Sequence, residues 1–220
     1  KRKYRNPPIQ ELPRTPGRIG EPVNSEFDAK SVRKALERSN PLLVDPNKGE
    51  RRAAVTLLLR SLGGEVDVLF VRRAEVEGDP WSGHMALPGG HMDPTDIDLI
   101  ETARRETFEE VGVRIKRDNF LGQLHDMHPV NRKLPPITIS AFVAWLDGDV
   151  KVTGNHEVQY HVWIPYTELG NPSNASEVEY HTNGQDFVLP SILYQGDVIW
   201  GLTHRIVMNL GEILREEVSV

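Results

Sequence analysis

Residues Leu87–Val113 read LPGGHMDPTDIDLIETARRETFEEVGV. A proline-glycine loop runs straight into a stretch with helical periodicity. At about 100° per residue, Ile100, Ala103, Thr107 and Val111 share one face, and Glu106, Glu109 and Glu110 span an arc on the other. Thr95 followed by Asp98 three residues on is a capping-box pattern. Gly112 suits the position just past a helix C-terminus. The predicted helix therefore carries three carboxylates at neighbouring spacings, and each like-charge pair costs roughly 0.2–0.5 kcal/mol. They also sit in the last turns, where the helix dipole disfavours negative charge. A cation bound between them would relieve both costs. Taken alone, such a triplet reads as a solvated acidic face. Leu214-Arg215-Glu216-Glu217, a similar charge cluster with no glycine loop before it, reads as plain surface. Turn, cap, acidic triplet and terminal glycine together favour an ion site.

These residues resemble the Nudix box, G-x5-E-x7-R-E-U-x-E-E-x-G-U, in which U is a bulky aliphatic residue. Arg105-Glu106-Thr107-Phe108-Glu109-Glu110-Val111-Gly112-Val113 follows its second half, with Thr107 at an aliphatic position. In the first half Gly90 lies one residue early. The isolated glutamate of the box falls at Ile97 or, allowing for one inserted residue, at Asp96. That extension and the Gly-Gly-x-x-Asp-Pro-x-Asp wording are similar to the coenzyme A pyrophosphatase branch. The stretch before the loop, Arg72-Arg73-Ala74 and Trp81-Ser82-Gly83-His84, departs from that branch's Arg-Ser and His-x-Gly-Gln wording. A weaker likeness spans residues 51–215.

The resemblance implies an α+β fold, a Nudix-type α/β/α sandwich with a mixed β-sheet between helices. It implies an enzyme, a hydrolase that cleaves a diphosphate (phosphoanhydride) linkage in a nucleoside diphosphate derivative such as coenzyme A or a related nucleotide. RNA 5′-pyrophosphate removal and a non-catalytic binding or scaffold module on the same fold are the alternatives. The implied cofactor is Mg²⁺ or Mn²⁺, held by Glu106, Glu109 and Glu110 with the Gly90 carbonyl completing the coordination. Carboxylate oxygens are hard ligands suited to these ions. Such an ion neutralises phosphate charge and lowers the pKa of a coordinated water. Arg105 is assigned to hold one glutamate through a charge-assisted pair. Glu109, Arg105 and Glu157 form the candidate catalytic set, and the sequence does not say which glutamate is the base. Glu157, in Gly154-Asn155-His156-Glu157-Val158, is the candidate distant base or extra ligand; the alternative is a loop glutamate in water. Arg72 and Arg73 are candidates to meet phosphates or are a polar strand end. Trp81 is a candidate to stack on a base or a packing residue. His84 is a substrate-binding candidate or a hydrogen-bonded histidine. Partners are a small-molecule nucleotide diphosphate, with an RNA 5′ end and a homodimer as further options.

Composition narrows the classes. The 220 residues carry 26 basic and 32 acidic side chains, net −6, which argues against a broad nucleic-acid-binding surface. The absence of cysteine excludes disulfides, thiolate zinc sites and cysteine nucleophiles. It suits an intracellular setting, cytoplasmic or organellar (mitochondrial or peroxisomal). No apolar run approaches the roughly 20 residues that span a bilayer. No phosphate-binding P-loop is present, and His125-Asp126-Met127-His128 lacks the second pair a zinc site would need.

Residues 1–50 read as an extension, a basic proline-rich arm over 1–26 and then a helical pattern over 27–38 with Phe27, Val32, Ala35 and Leu36 as packing residues. Residues 51–220 read as the catalytic domain. A strand at Ala53–Leu59 and another at Val66–Val71 form a hairpin around Gly63-Gly64. Further strands are expected at Met85–Leu87, Val113–Ile115, Leu121–His125, Ile137–Trp145 and Tyr160–Ile164, with one helical turn at Tyr166–Leu169. Residues 170–186 read as a long polar loop for substrate selection or oligomer contact. Ile192–Trp200 reads as a hairpin around Gln195-Gly196-Asp197, and Leu202–Glu216 as a final helix with Ile206, Leu210 and Leu214 on one stripe. Strands and helices interleave without a regular βαβ rhythm, which favours a mixed sheet.

Overall fold

The computed structural model describes residues 27–45, 51–78, 81–129, 136–182 and 185–218. Strand β1 (Arg51–Leu62) lies at the centre. Leu57 and Leu59 enter one apolar cluster and Ala54 and Leu58 the other, so the strand is buried on both faces. Gly63 and Gly64, with φ of 63° and 90°, turn the chain into β2 (Glu65–Arg73), which pairs antiparallel with Leu59–Leu62. That two-residue turn needs positive φ at both positions, which glycine supplies.

The two strands then part. β3 (Met85–Ala86) pairs with β2 at Val71 and Arg72, and β4 (Gly89–His91) pairs with β1 at Ala53–Val55. Between them the Thr56 N–H donates to the Pro88 carbonyl at 2.8 Å. The proline-glycine bend is thereby stitched into the split between β1 and β2. β5 (Phe120–Gln123) pairs antiparallel with β6 (Ile137–Asp147), which runs parallel to β1. β7 (Val158–Pro165) adds antiparallel to β2. The sheet is therefore mixed.

Helix α1 (Ala29–Arg38) and helix α4 (Gly201–Val218) cover one face, placing Val32, Leu36, Ile206 and Leu210 with Leu57, Leu59 and Phe70. Helix α2 (Leu99–Val111) covers the other, placing Leu99, Ala103 and Val111 against Ala54, Leu58 and Leu69. The result is the expected α+β sandwich of helices about a mixed sheet. α1 is built into the core: Asp28 and Ser31 cap it reciprocally, and Phe27 stacks on Tyr166 at 4.7 Å. We therefore propose a folded unit that takes in α1, in place of a boundary at residue 51. The basic arm at 1–26 lies outside the described residues.

Two expected elements differ. Val113 and Ile115 are buried in the second cluster, but they pass through it without joining a ladder, and a 3-10 turn at Arg117–Asn119 leads into β5. The expected loop at 170–186 instead contains β8 (Ala175–Thr182) and the start of β9 (Gln185–Tyr194). With β10 (Asp197–Trp200) they form a three-stranded antiparallel meander. Val178 and Tyr180 are partly buried while Glu177, Glu179 and His181 are exposed. The period of two is real but is carried by too few apolar residues to show. The Gln195-Gly196 turn forms as expected, with φ of 51° and 96°, and α3 (Tyr166–Leu169) is the expected single turn. Among the described residues, no helix is long and apolar enough to cross a membrane.

Candidate active site

Asp98, rather than Thr95, is the N-cap of α2, its carboxylate accepting the Glu101 N–H at 2.9 Å. Thr95 folds back on Asp93, whose Oδ1 accepts both its N–H and its hydroxyl, an Asx turn that closes the glycine loop. Gly112 ends the helix in the left-handed conformation. Ala103, Thr107 and Val111 are buried on the expected face. Thr107 shares hydrogen bonds with the Thr56 hydroxyl at 2.8 Å and the Ala103 carbonyl at 2.7 Å. Those two hydroxyls tie α2 to β1 at a position where an aliphatic side chain was expected.

The three glutamates are not equivalent. Glu110 is only 5% exposed, and its Oε2 accepts the Gly89 N–H at 3.0 Å. Burial pushes its carboxyl up to about 7, helped by the negative charges of Glu106 and Glu157 and opposed by the Gly89 N–H and Arg73. Glu106 rests on Gly90, where an added Cβ would lie 2.6 Å from the carboxyl atoms, so only glycine permits this approach. Burial raises the Glu106 carboxyl as well. Glu109 is exposed and paired with Arg105 at 3.0 Å. The crowding expected from helical spacing is present at Glu106, which the charge of Glu109 pushes up, and at Glu110, which the charge of Glu106 pushes up. Among the described residues, no three acidic or imidazole groups already converge at ligand spacing.

Arg105 is a clamp. Its Nε and Nη2 donate to both oxygens of Asp96 at 3.0 and 2.9 Å, and Nη2 also reaches the His91 carbonyl at 2.9 Å. Nη1 donates to Glu106 at 2.8 Å and to Glu109. It therefore holds two glutamates rather than the one expected, and it fixes the loop to the helix. Asp96 is buried, and Arg105 holds its carboxyl down at about 2. Ile97, the other position for the isolated acid, is 81% exposed. Counting along the sequence left Ile97 and Asp96 both open and did not show the pairing of Asp96 with Arg105.

Glu157 is drawn in by its loop. The Thr153 and Asn155 N–H groups each donate at 2.9 Å to the Val111 and Glu110 carbonyls, which end α2 and would otherwise lack helical partners. Asn155 Oδ1 accepts the Glu157 N–H at 2.8 Å, and the Glu157 carbonyl accepts the Ala74 N–H at 2.8 Å. The Glu157 charge consequently acts on both Glu106 and Glu110. Asn155 was missed in sequence, although an asparagine two residues before the candidate acid is an Asx-turn signal.

The substrate-binding candidates divide. Side chains alternate along β2: Leu69 and Val71 face α2, whereas Val68 and Phe70 face α4. Arg73 follows the first set and acts on Glu110. Arg72 follows the second and lies 4.0 Å from Asp197 of β10. The His84 ring meets Trp200 at 4.9 Å. Trp81 is partly buried, and its carbonyl accepts the His84 N–H at 3.1 Å.

The donor chemistry fits a hard divalent ion. Glu106, Glu110, Glu157 and the Gly90 backbone offer oxygen ligands, and Glu110 is a buried carboxylate whose ionisation its neighbours oppose.

The description of the NUDIX domain matches residues 50–182, more than half of the sequence, and the chain belongs to the Nudix family. The mitochondrial coenzyme A diphosphatase NUDT8 of Homo sapiens is 29% identical over 152 residues, 69% of this chain and 64% of that protein. The chain thus spans less than two thirds of the human relative's length. The uncharacterized Nudix hydrolase NudL of Yersinia pestis is 30% identical over 165 residues, 74% of this chain and 79% of that protein. Among solved structures, a MutT/nudix family protein from Enterococcus faecalis superposes with a TM-score of 0.53 at 17% identity, covering 87% of this chain and 75% of that one. At that identity the likeness shows the fold.

Proposed function

We propose that this chain hydrolyses a diphosphate linkage in a nucleoside diphosphate derivative, with Mg²⁺ or Mn²⁺, and that coenzyme A or a related nucleotide is its substrate. The carrying observation is Glu110, a buried carboxylate held on the Gly89 N–H with Glu106 and Glu157 beside it. The substrate rests on the loop wording and on the printed activity of the human relative. That relative's mitochondrial name is compatible with an organellar setting.

Glu106, Glu110 and the Gly90 carbonyl would hold the ion, with Glu109 as a further ligand on the exposed side. A bound ion supplies neutralisation of phosphate charge and a more acidic water. Arg73 meets a phosphate oxygen. Glu157, on its own loop, takes the proton from the attacking water. The water oxygen bonds to one phosphorus, the anhydride P–O bond breaks, and two monophosphates leave. Arg105 acts through the glutamates it holds and is a positioning residue.

The test is a screen with Mg²⁺ and Mn²⁺ against coenzyme A, dinucleoside polyphosphates, ADP-ribose, nucleoside triphosphates and triphosphorylated RNA. Turnover of coenzyme A is expected, with Glu110→Gln reducing it about a hundredfold or more. No turnover of any substrate would overturn the proposal.

A further inference from the structure

The three-stranded meander carries an apolar face that the sheet chemistry does not use. Cross-strand register puts Val178 beside Leu189 and Tyr180 beside Phe187, and Trp200 beside Ser191, all on one side of β8–β9–β10. Val178, Tyr180, Phe187, Leu189 and Trp200 are all partly buried, so each keeps some surface in water. Trp200 is the focus of this face. Tyr180 lies 5.2 Å from it with the rings at 54°, and His84 lies 4.9 Å from it at 61°. Both neighbours meet the indole at an angle and brace it without stacking parallel on it.

This face is joined to the candidate active site by two short links. The His84 carbonyl accepts the Arg73 N–H at 3.0 Å, so the loop that braces Trp200 is pinned to the strand end whose Arg73 acts on Glu110. On the opposite side of β10 the Tyr160 hydroxyl donates to Asp197 Oδ1, and Arg72 is 4.0 Å from the same oxygen, which ties this strand to β2 and β7. Trp200 and Phe187 also lie beyond residue 182, where the family match ends.

We propose that Trp200, braced by Tyr180 and His84, is the platform on which the flat heterocycle of a purine nucleotide stacks. The inference rests on the nucleotide reading above and assigns the heterocycle to a surface that the diphosphate chemistry leaves unused. Base–aromatic stacking is strong enough to decide affinity and tolerates different bases.

The experiment is calorimetric titration of the full chain with adenosine 5′-monophosphate, in the wild type, Trp200→Leu, Trp200→Phe and Glu110→Gln, each first shown to be folded by circular dichroism. AMP binds the wild type, Trp200→Leu weakens it about tenfold or more, and Trp200→Phe, which keeps a ring, stays within about threefold of the wild type. Equal affinity in folded Trp200→Leu, or no AMP binding to the wild type, would overturn the platform. So would a change from dimer to monomer in Trp200→Leu at unchanged AMP affinity, which would make the face an interface between copies. The two proposals fail separately: AMP binding that persists in Glu110→Gln, and in a wild type that hydrolyses none of the screened substrates, leaves the platform standing while the reaction reading falls.

Discussion

Glu110 sits where its charge is disfavoured, and that makes it the most informative single side chain. Its carboxyl is raised from an ordinary 4.5 to about 7, with burial the largest cause. A folded pKa above the unfolded one means that folding favours the protonated form. The contribution is complete below about pH 4.5 and is lost as the pH rises through about 7. At 1.36 kcal/mol per unit, the loss is about 3 kcal/mol. His204 works in the opposite direction, because burial lowers it to about 4 and its stability contribution grows as the pH rises toward 6.5. The informative quantity is therefore a difference. The unfolding free energy of the wild type minus that of Glu110→Gln, both in EDTA, is expected to fall by about 3 kcal/mol between pH 4.5 and 8. A flat difference would contradict the buried-carboxylate reading. At this scale the sequence identified the acids but not their inequality. Helical spacing places Glu106, Glu109 and Glu110 alike, and only the Gly89 N–H, the Gly90 contact and the Arg105 clamp tell them apart.

Among the elements, the loop that delivers Gly89 and Gly90 is placed by the parting of β1 and β2. The two glycines serve different purposes. A Cβ on Gly89 would lie 2.3 Å from the Ala54 carbonyl oxygen, which is backbone and cannot yield. A Cβ on Gly90 would meet the Glu106 carboxyl, the free end of a side chain that can swing aside. Gly89→Ala is expected to lower stability by about 3 kcal/mol or more, read by urea unfolding. Gly90→Ala is expected to keep stability within about 1 kcal/mol and to lose most of the hydrolytic rate, because Glu106 is displaced. The reverse pattern would contradict this division. Elements with strong local signals were legible: the Gly63-Gly64 hairpin, the Gly112 terminus and the turn at Tyr166–Leu169. The start of α2 was misread at Thr95 because Asp93 offers it a competing Asx turn. The β8–β9 hairpin was misread as loop because Glu177, Glu179 and His181 mask the alternation of Val178 and Tyr180.

For the whole molecule, the site depends on three pieces brought together by the sandwich: the bend at Pro88–Gly90, the last turns of α2, and the loop from Thr153 to Glu157. Their convergence was legible for the first two, which are contiguous in sequence. The third was reached through family likeness, since no local pattern shows that Thr153 and Asn155 will cap a helix some forty residues earlier. The proposal of a folded unit that begins before residue 51 rests on the packing of α1. Val32, Ala35 and Leu36 are buried, and Leu36 packs so closely on Gly122 that an added Cβ would lie 2.8 Å away. Burying a valine or leucine contributes about 1.5–3 kcal/mol each. A chain begun at residue 40 is expected to lose about 3 kcal/mol or more, roughly 10 °C in melting temperature. An unchanged melting temperature would show α1 to be dispensable.

The central claim is that Glu110 and its neighbours form an ion site. Its most direct measurement is Mn²⁺ binding at pH 8, followed by the paramagnetic resonance of free Mn²⁺, in the wild type and in Glu110→Gln. Binding to the wild type with at least about tenfold loss in the variant is expected, since one buried ligand charge is removed. Equal Mn²⁺ affinity in the two proteins, or none in either, would contradict the account.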